Sequence, residues 1–325
     1  MPNIVRRIGC RGRGDDLFLL SIGNLLRTIL TLGIYEPWAR TRVRRYLWSA
    51  VEFGGEPFVY HGTGKELFIG RIKGTLLIWG IFFLAGAIAA GIGFAFGPAA
   101  VESGVIELIL WPLLAAGFAV LFSVAIVGAR RYRMSRTSWR GIRFSFRGSW
   151  RQYLPILLSR ALVPLTFGLA YPFVYIREAR FIITGTRFGN TPFAFDGSGR
   201  DLFGPWLKAL VLTPLTLGLY WFWFAAERHR YVWGHTRFGD ARFMSAVDGR
   251  GLLGLWLGNL LLLVITLGVA WPFVTIRRLM FLTDHLVVVG APDLDAVVQD
   301  AQEASAAGEG VAAALDFDTD LGLAI

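Results

Sequence analysis

The sequence predicts an all-α membrane protein: five repeated helix-break-helix units joined by short β-hairpins. Three observations lead there. The segment LTLGIYEPWARTRVRRY at residues 30–46 returns as LTFGLAYPFVYIREARF from Leu165, LTLGLYWFWFAAERHRY from Leu215 and ITLGVAWPFVTIRRLMF from Ile265. Its threonines are Thr31, Thr166, Thr216 and Thr266, the last three 50 apart, and such a period marks one supersecondary unit used repeatedly. Charge is scarce, 17% of 325 residues against about 25% in soluble domains, and it lies in blocks between apolar runs, as in membrane proteins. Finally, Gly54-Gly55, Gly189-Asn190 and Gly239-Asp240 are turn dipeptides flanked by aromatic alternation, which signals short hairpins.

Taken in order, the first apolar run covers 17–35, behind Asp15 and Asp16, acids that suit a helix N-terminus. Thr31-Leu32-Gly33 ends that helix, because glycine tolerates the left-handed conformation of a C-terminal cap. Pro37 fits the first turn of the next helix, which runs to about residue 50 and carries Arg40, Arg42, Arg44 and Arg45. EFGGEPFVYHG then reads as a hairpin. The second unit is longer. Residues 75–97 carry no charge, and 104–128 carry only Glu107; each run is long enough to cross a hydrocarbon core of about 30 Å at about 1.5 Å per residue. Eight arginines follow between Arg130 and Arg151. Shorter apolar runs occupy 154–171, 203–224 and 252–271. The units are expected at about 12–61, 62–147, 148–196, 197–246 and 247–290, and in the fifth the second hairpin strand is missing after Phe281. The stretch 291–325 has eight acids and no Lys or Arg. It reads as a mobile tail with a short helix near 311–315. The net charge of +10 thus conceals +18 on the rest of the chain.

The motifs GxGxxLF from Gly12, LTLGIYxPWAR from Leu30 and RYxxxxxxFGGxPFxYxGTG from Arg45 resemble the YjgN-like family of bacterial inner-membrane proteins. The resemblance covers about 12–289. It implies a multi-pass location in the bacterial inner (cytoplasmic) membrane, and it brings no activity and no functional residues with it.

Two threadings fit the residues. Each short unit could span once and the second unit twice, giving inverted neighbours as in many transporters. Alternatively, every unit is a helical hairpin that returns to its starting side. The second puts all the arginine-rich stretches on one side, in line with the positive-inside rule, but it leaves non-helical turns at membrane depth, where lipid cannot satisfy backbone groups.

Polar residues within the apolar runs are the candidate cavity-lining set: Asn24, Arg27, Arg160, Lys208 and Asn259. Arg40, Arg44, Arg45, Arg130, Arg131, Arg133, Arg228 and Arg230 are candidate contacts for anionic lipid head groups. The same basic-aromatic stretches would suit nucleic acid, but their position beside apolar runs favours lipid. No cofactor is expected: Gly62-x-Gly64 lacks the third glycine of a dinucleotide fingerprint, and Gly64-Lys65 lacks the spacing of a phosphate loop. Four scattered histidines and one cysteine, Cys10, supply no metal cage. No catalytic constellation is visible, so an enzyme is not expected. Two functions remain: transport of a small anionic solute, or a non-transporting scaffold that binds anionic lipid or a partner through its basic face.

Overall fold

The computed structural model describes residues 5–97, 104–290, 294 and 297–299. Strand β1 (Val5–Cys10) leads into helix α1 (Gly14–Leu30), which folds back as α2 (Glu36–Ala50). Strands β2 (Val51–Phe53), β3 (Glu56–Pro57) and β4 (Val59–Tyr60) follow. Next comes the long hairpin of α3 (Gly64–Phe96) and α4 (Val105–Ser135), then β5 (Thr137–Trp139) and β6 (Ile142–Phe146). The third hairpin is interrupted on its outgoing arm, α5 (Trp150–Ser159) and α6 (Leu162–Leu165), and returns as α7 (Tyr171–Gly185) into β7 (Thr186–Phe188) and β8 (Thr191–Phe195). Helices α8 (Gly199–Leu215) and α9 (Trp221–Gly234) precede β9 (Thr236–Phe238) and β10 (Ala241–Ser245). Last are α10 (Gly249–Ile265), α11 (Trp271–Asp284) and β11 (Leu286–Val289).

Four of the five outgoing helices start where a side chain satisfies one of the first backbone N–H groups. Thr63 with Glu66 and Ser149 with Gln152 form reciprocal capping boxes, and Ser198 and Asp248 cap α8 and α10. Returning helices start at Pro37, Pro172 and Pro272, where the missing N–H costs nothing.

The all-α expectation is overturned. The eleven described strands form one antiparallel sheet in the order β3-β2-β1-β11-β10-β9-β8-β7-β6-β5-β4. The two end strands, β3 and β4, are consecutive pieces of chain on either side of Phe58, whose N–H donates to the Val51 carbonyl at 3.1 Å. The sheet is therefore a nearly closed barrel. The reason lies in what a hairpin leaves over. Two strands alone are marginal in water and present unpaired N–H and C=O groups along both edges. Here each edge pairs with the next hairpin: β6 with β7, β8 with β9, β10 with β11 and β4 with β5.

The strand missing from the fifth unit comes from the other end of the described chain. β1 pairs with β11 in the register Val5↔Val289 and Arg7↔Val287, and with β2 in the register Ile8↔Phe53 and Cys10↔Val51.

Above the barrel the helices close a ring. Helix α2 packs on α3, α4 on α5, α7 on α8, α9 on α10 and α11 on α1. One backbone hydrogen bond recurs at all five junctions, from the residue leaving a strand to the end of a returning helix: Arg11 to Ala50, His61 to Arg136, Arg147 to Gly185, Asp196 to His235 and Ala246 to His285, at 2.7–3.3 Å. Gly14 and Gly64 show why four of the five outgoing helices begin with glycine. A β-carbon there would overlap Phe273 or Trp38 of the preceding returning helix. The Gly62-x-Gly64 pair is thus a packing device.

Every helical pair leaves the sheet and comes back to it, so the helical turns sit at the end remote from the barrel. Among the described residues two helices are long and apolar enough to cross a membrane, Gly64–Ala95 and Leu110–Ser135. The 17-residue arms α1, α8 and α10 reach about 25 Å. The side chain of Glu107 and the tail helix expected near 311–315 lie outside the described residues.

Candidate functional site

Three features carry chemistry: the four turns, the arginines at the waist and the barrel lumen. The turns solve the difficulty that the hairpin threading raised. In the first, Thr31 Oγ donates to the Arg27 carbonyl at 2.8 Å and accepts the Tyr35 N–H at 3.0 Å. The N–H groups of Thr31, Leu32, Gly33, Ile34 and Glu36 all reach carbonyls within residues 27–33. Each backbone N–H from 31 to 36 therefore has an acceptor within the turn. Thr166, Thr216 and Thr266 make the same pair of hydroxyl bonds, and Gly33, Gly168, Gly218 and Gly268 each close a six-residue bond to a helix carbonyl at 2.7–2.8 Å.

The residue before each glycine is also left-handed: Leu32, Phe167, Leu217 and Leu267 have φ between 49° and 51°. Such a conformation costs a side chain about 1–2 kcal/mol, and in water asparagine or glycine is the usual occupant. Here the occupants are large and apolar, and they are 89–95% exposed. Leu30, Leu165, Leu215 and Ile265 beside them are 70–83% exposed. Four tips of this kind form an apolar surface that water would not favour.

The arginines at the waist are largely committed within the chain. Arg45 donates to the Gly62 carbonyl, Arg131 to Gly148, Arg180 to Gly197 and Arg230 to Val247, each 17 residues on and 2.5–3.3 Å away. Each clamps a returning helix to a strand exit. Arg44 and Arg228 are buried; Arg228 bonds the Tyr171 hydroxyl and lies 4.8 Å from the Tyr175 ring centroid. Arg130 lies over Phe146, Arg133 donates to the Ala129 carbonyl, and Arg40 pairs with Glu36 at 2.5 Å. The eight expected head-group contacts therefore all have internal partners, and sequence reasoning missed Arg180, the fourth clamp.

The five expected cavity residues do not converge. Asn24 is buried between α1 and α2 and donates to the Ala39 carbonyl at 3.3 Å. Asn259 is buried at the equivalent place in α10. Arg27 is exposed over Tyr35, Lys208 is exposed over Tyr220, and Arg160 pairs with Glu178 at 2.5 Å.

A cavity does exist, elsewhere. The barrel lumen encloses about 250 Å³, lined by Phe53, Phe58, Trp139, Phe144, Phe188, Phe193, Phe238 and Phe243, with Ile8, Val51, Leu286 and Val288 between them. Strand alternation puts them there. Cross-strand partners Phe144↔Phe188, Phe193↔Phe238 and Phe243↔Val288 share one face. The helix ends contribute Trp48, His229, Trp233, Leu282 and Thr283 to the wall. Trp233 Nε1–H donates to His229 Nε2 at 3.0 Å, so the neutral ring carries its proton on Nδ1 and donates to Ser245 Oγ at 2.8 Å. Burial, with Arg228 and Arg230 close by, brings the His229 pKa down to about 4. Over the mouth lies a strap from the tail. Leu294 lines the lumen and Val297 is buried against Trp139, Phe188 and Phe238. Asn190 exchanges two hydrogen bonds with Val298, at 3.0 and 3.2 Å, and Gln299 Oε1 accepts the Arg143 N–H at 2.8 Å. The signal for the lumen was present in TRFGNTPFAF, whose alternating rings the sequence reading took as connectors.

Comparison with known proteins places this arrangement. The family described as "Bacterial protein of unknown function (DUF898)" matches at residues 7–218, 190–244 and 215–314. The chain is 32% identical over 161 residues to the inner membrane protein YjgN of Salmonella typhimurium, covering 46% of this chain and 35% of that protein. It is 33% identical over 154 residues to inner membrane protein YjgN of Escherichia coli O157:H7, covering 46% and 34%. The match thus spans about a third of the length of these curated relatives. No solved structure matches the chain.

Proposed function

The chain belongs to the DUF898 family, with the YjgN proteins among its relatives, and from that premise we propose that it is a non-transporting protein of the bacterial inner membrane. In this reading the long α3–α4 hairpin spans the bilayer. The four short hairpins enter from the cytoplasmic side and end inside it, and the barrel is held just below the head groups. The observation that carries this is the set of apolar, left-handed tips, each with its backbone N–H groups bonded internally, at the end of the ring remote from the barrel. A turn with no unmet backbone N–H is better suited to hydrocarbon than an open one, and leucine replaces asparagine where no water is present. The exposed Arg42, Arg180 and Arg230 near the waist then lie at the depth of anionic head groups, each contributing about 1 kcal/mol of attraction. Transport is disfavoured because the polar residues of the apolar arms are dispersed and do not gather about one cavity.

Single cysteines in a Cys10→Ser background test this in intact cells. Gly97→Cys, at the far end of the long hairpin, is expected to react with an impermeant thiol reagent applied outside, while Asn190→Cys and Asp240→Cys are protected. Labelling at Asn190 with protection at Asp240 would mean that successive units alternate across the membrane, which would restore the transport reading.

A further inference from the structure

We propose that the barrel lumen is a binding site for one small, uncharged, hydrocarbon-like molecule, closed by the tail strap at Leu294 and Val297. The wall is nearly all ring and aliphatic carbon. Its two conspicuous polar groups are already engaged: both ring nitrogens of His229 have partners, and the Thr283 hydroxyl donates to the Leu279 carbonyl at 2.9 Å. Among the described residues, none of the buried side-chain polar atoms that lack a partner belongs to the lumen wall. A charged ligand would therefore find no opposite charge, and a hydrogen-bonding one few free partners, to compensate its desolvation, whereas an apolar one loses nothing. Size sets the class. An apolar cavity of about 150 Å³ stays dry and takes up benzene; at about 250 Å³ this lumen has room for a ring with a short alkyl arm, or a saturated chain of similar bulk. A molecule that fills it gains contact with large rings along the whole wall, so it is bound by dispersion and water exclusion alone.

The strap makes the site closable. It is held by three hydrogen bonds, to Asn190 and Arg143, and by the burial of Val297. These bonds lie at the mouth and contribute nothing to the lumen wall, so the strap can lift with the barrel intact.

The test uses the full chain in lipid nanodiscs and a photoactivatable diazirine derivative of octane as the probe, with adducts mapped by mass spectrometry. Lipid-facing helices will also label and serve as the internal standard. Peptides containing Trp139, Phe193 and Phe243 are expected to carry adducts in the native protein. The same peptides should lose them in Val288→Phe, which fills the lumen. Val51→Phe fills it from another strand, should the first variant fail to fold. Asn190→Ala, which removes a strap bond, is expected to speed labelling of the strands with no change on the helices. Strand adducts appearing only in Asn190→Ala would support the site with the strap as its closure. Strand peptides unlabelled in both the native protein and Asn190→Ala, or labelled equally in the filled variants, would overturn the proposal.

Discussion

The long hairpin α3–α4 and the short hairpin α8–α9 leave the sheet in the same way and differ above it. Both start at a capped helix N-terminus set against an aromatic of the preceding unit, both return to a strand, and both are clamped by an arginine, Arg131 in one and Arg230 in the other. The short arm stops after 17 residues at Thr216, in a turn that meets its own backbone needs. The long arm runs 33 residues with Leu76, Phe83 and Leu84 exposed, and passes through Gly97. The lesson is that the four short arms all end in the same internally bonded turn. A helix that ends inside hydrocarbon needs a turn without loose donors, and one that emerges into water does not.

The largest expected effect tests the long arm. Leu84→Arg puts a charge near the middle of α3 and should cost insertion about 3 kcal/mol, read as loss of outside labelling at Gly97→Cys. Next is the short turn. Thr216→Val removes the acceptor of the Tyr220 N–H and should lower stability by about 1–3 kcal/mol, seen as a lower unfolding midpoint in nanodiscs; Thr216→Ser should restore it. If Thr216→Val is neutral, water reaches the turn and the contrast between the arms fails.

A third prediction concerns the base that both hairpins share. His229 is neutral when folded, with a pKa of about 4, against about 6.5 when unfolded. Its contribution is fully present above pH 6.5 and is lost as pH falls from there towards 4, because only the unfolded chain takes up the proton. Thermal unfolding at pH 7 and pH 5 should show the lower value at pH 5, and His229→Gln should flatten the difference. The smallest effect is the most diagnostic. Leu217→Asn relieves left-handed strain worth about 1 kcal/mol or slightly more but puts an amide in lipid. Destabilisation in nanodiscs places the tip in hydrocarbon, whereas stabilisation would place it in water.

Much of the helical part was legible. The repeated threonine-x-glycine marked the turns, and Pro37 marked the first returning helix, because both signals are local. The sheet was not legible, because its pairing joins residues of different hairpins, such as Phe193 with Phe238, and no local pattern announces a partner. The rings at Phe144, Phe188 and Phe238 looked like connector residues for the same reason. β1 was the hardest to see: VRRIGC is short and carries two arginines. Its clue lay in the fifth unit, where β11 lacked a second strand, and in Gly12-x-Gly14, which follows β1 as Gly62-x-Gly64 follows β4. Of the candidate arginines, Arg45, Arg131 and Arg230 have carbonyl partners 17 residues on, which became visible only once the strands were in place.

The pairing of β1 with β11 means that sequence order and spatial order come apart at one seam. Val5 lies opposite Val289, so a two-residue turn like Gly239-Asp240 would join them and make the ring continuous. A circular permutant reopened at Gly239-Asp240, an exposed turn, should assemble the same barrel, since such sites tolerate new ends. During synthesis the seam imposes a wait. Until Leu286 to Val289 have been made, β1 and β10 each keep a bare edge, and bare edges recruit other chains. A chain interrupted before Leu286 would therefore present two unpaired strand edges, on β1 and β10.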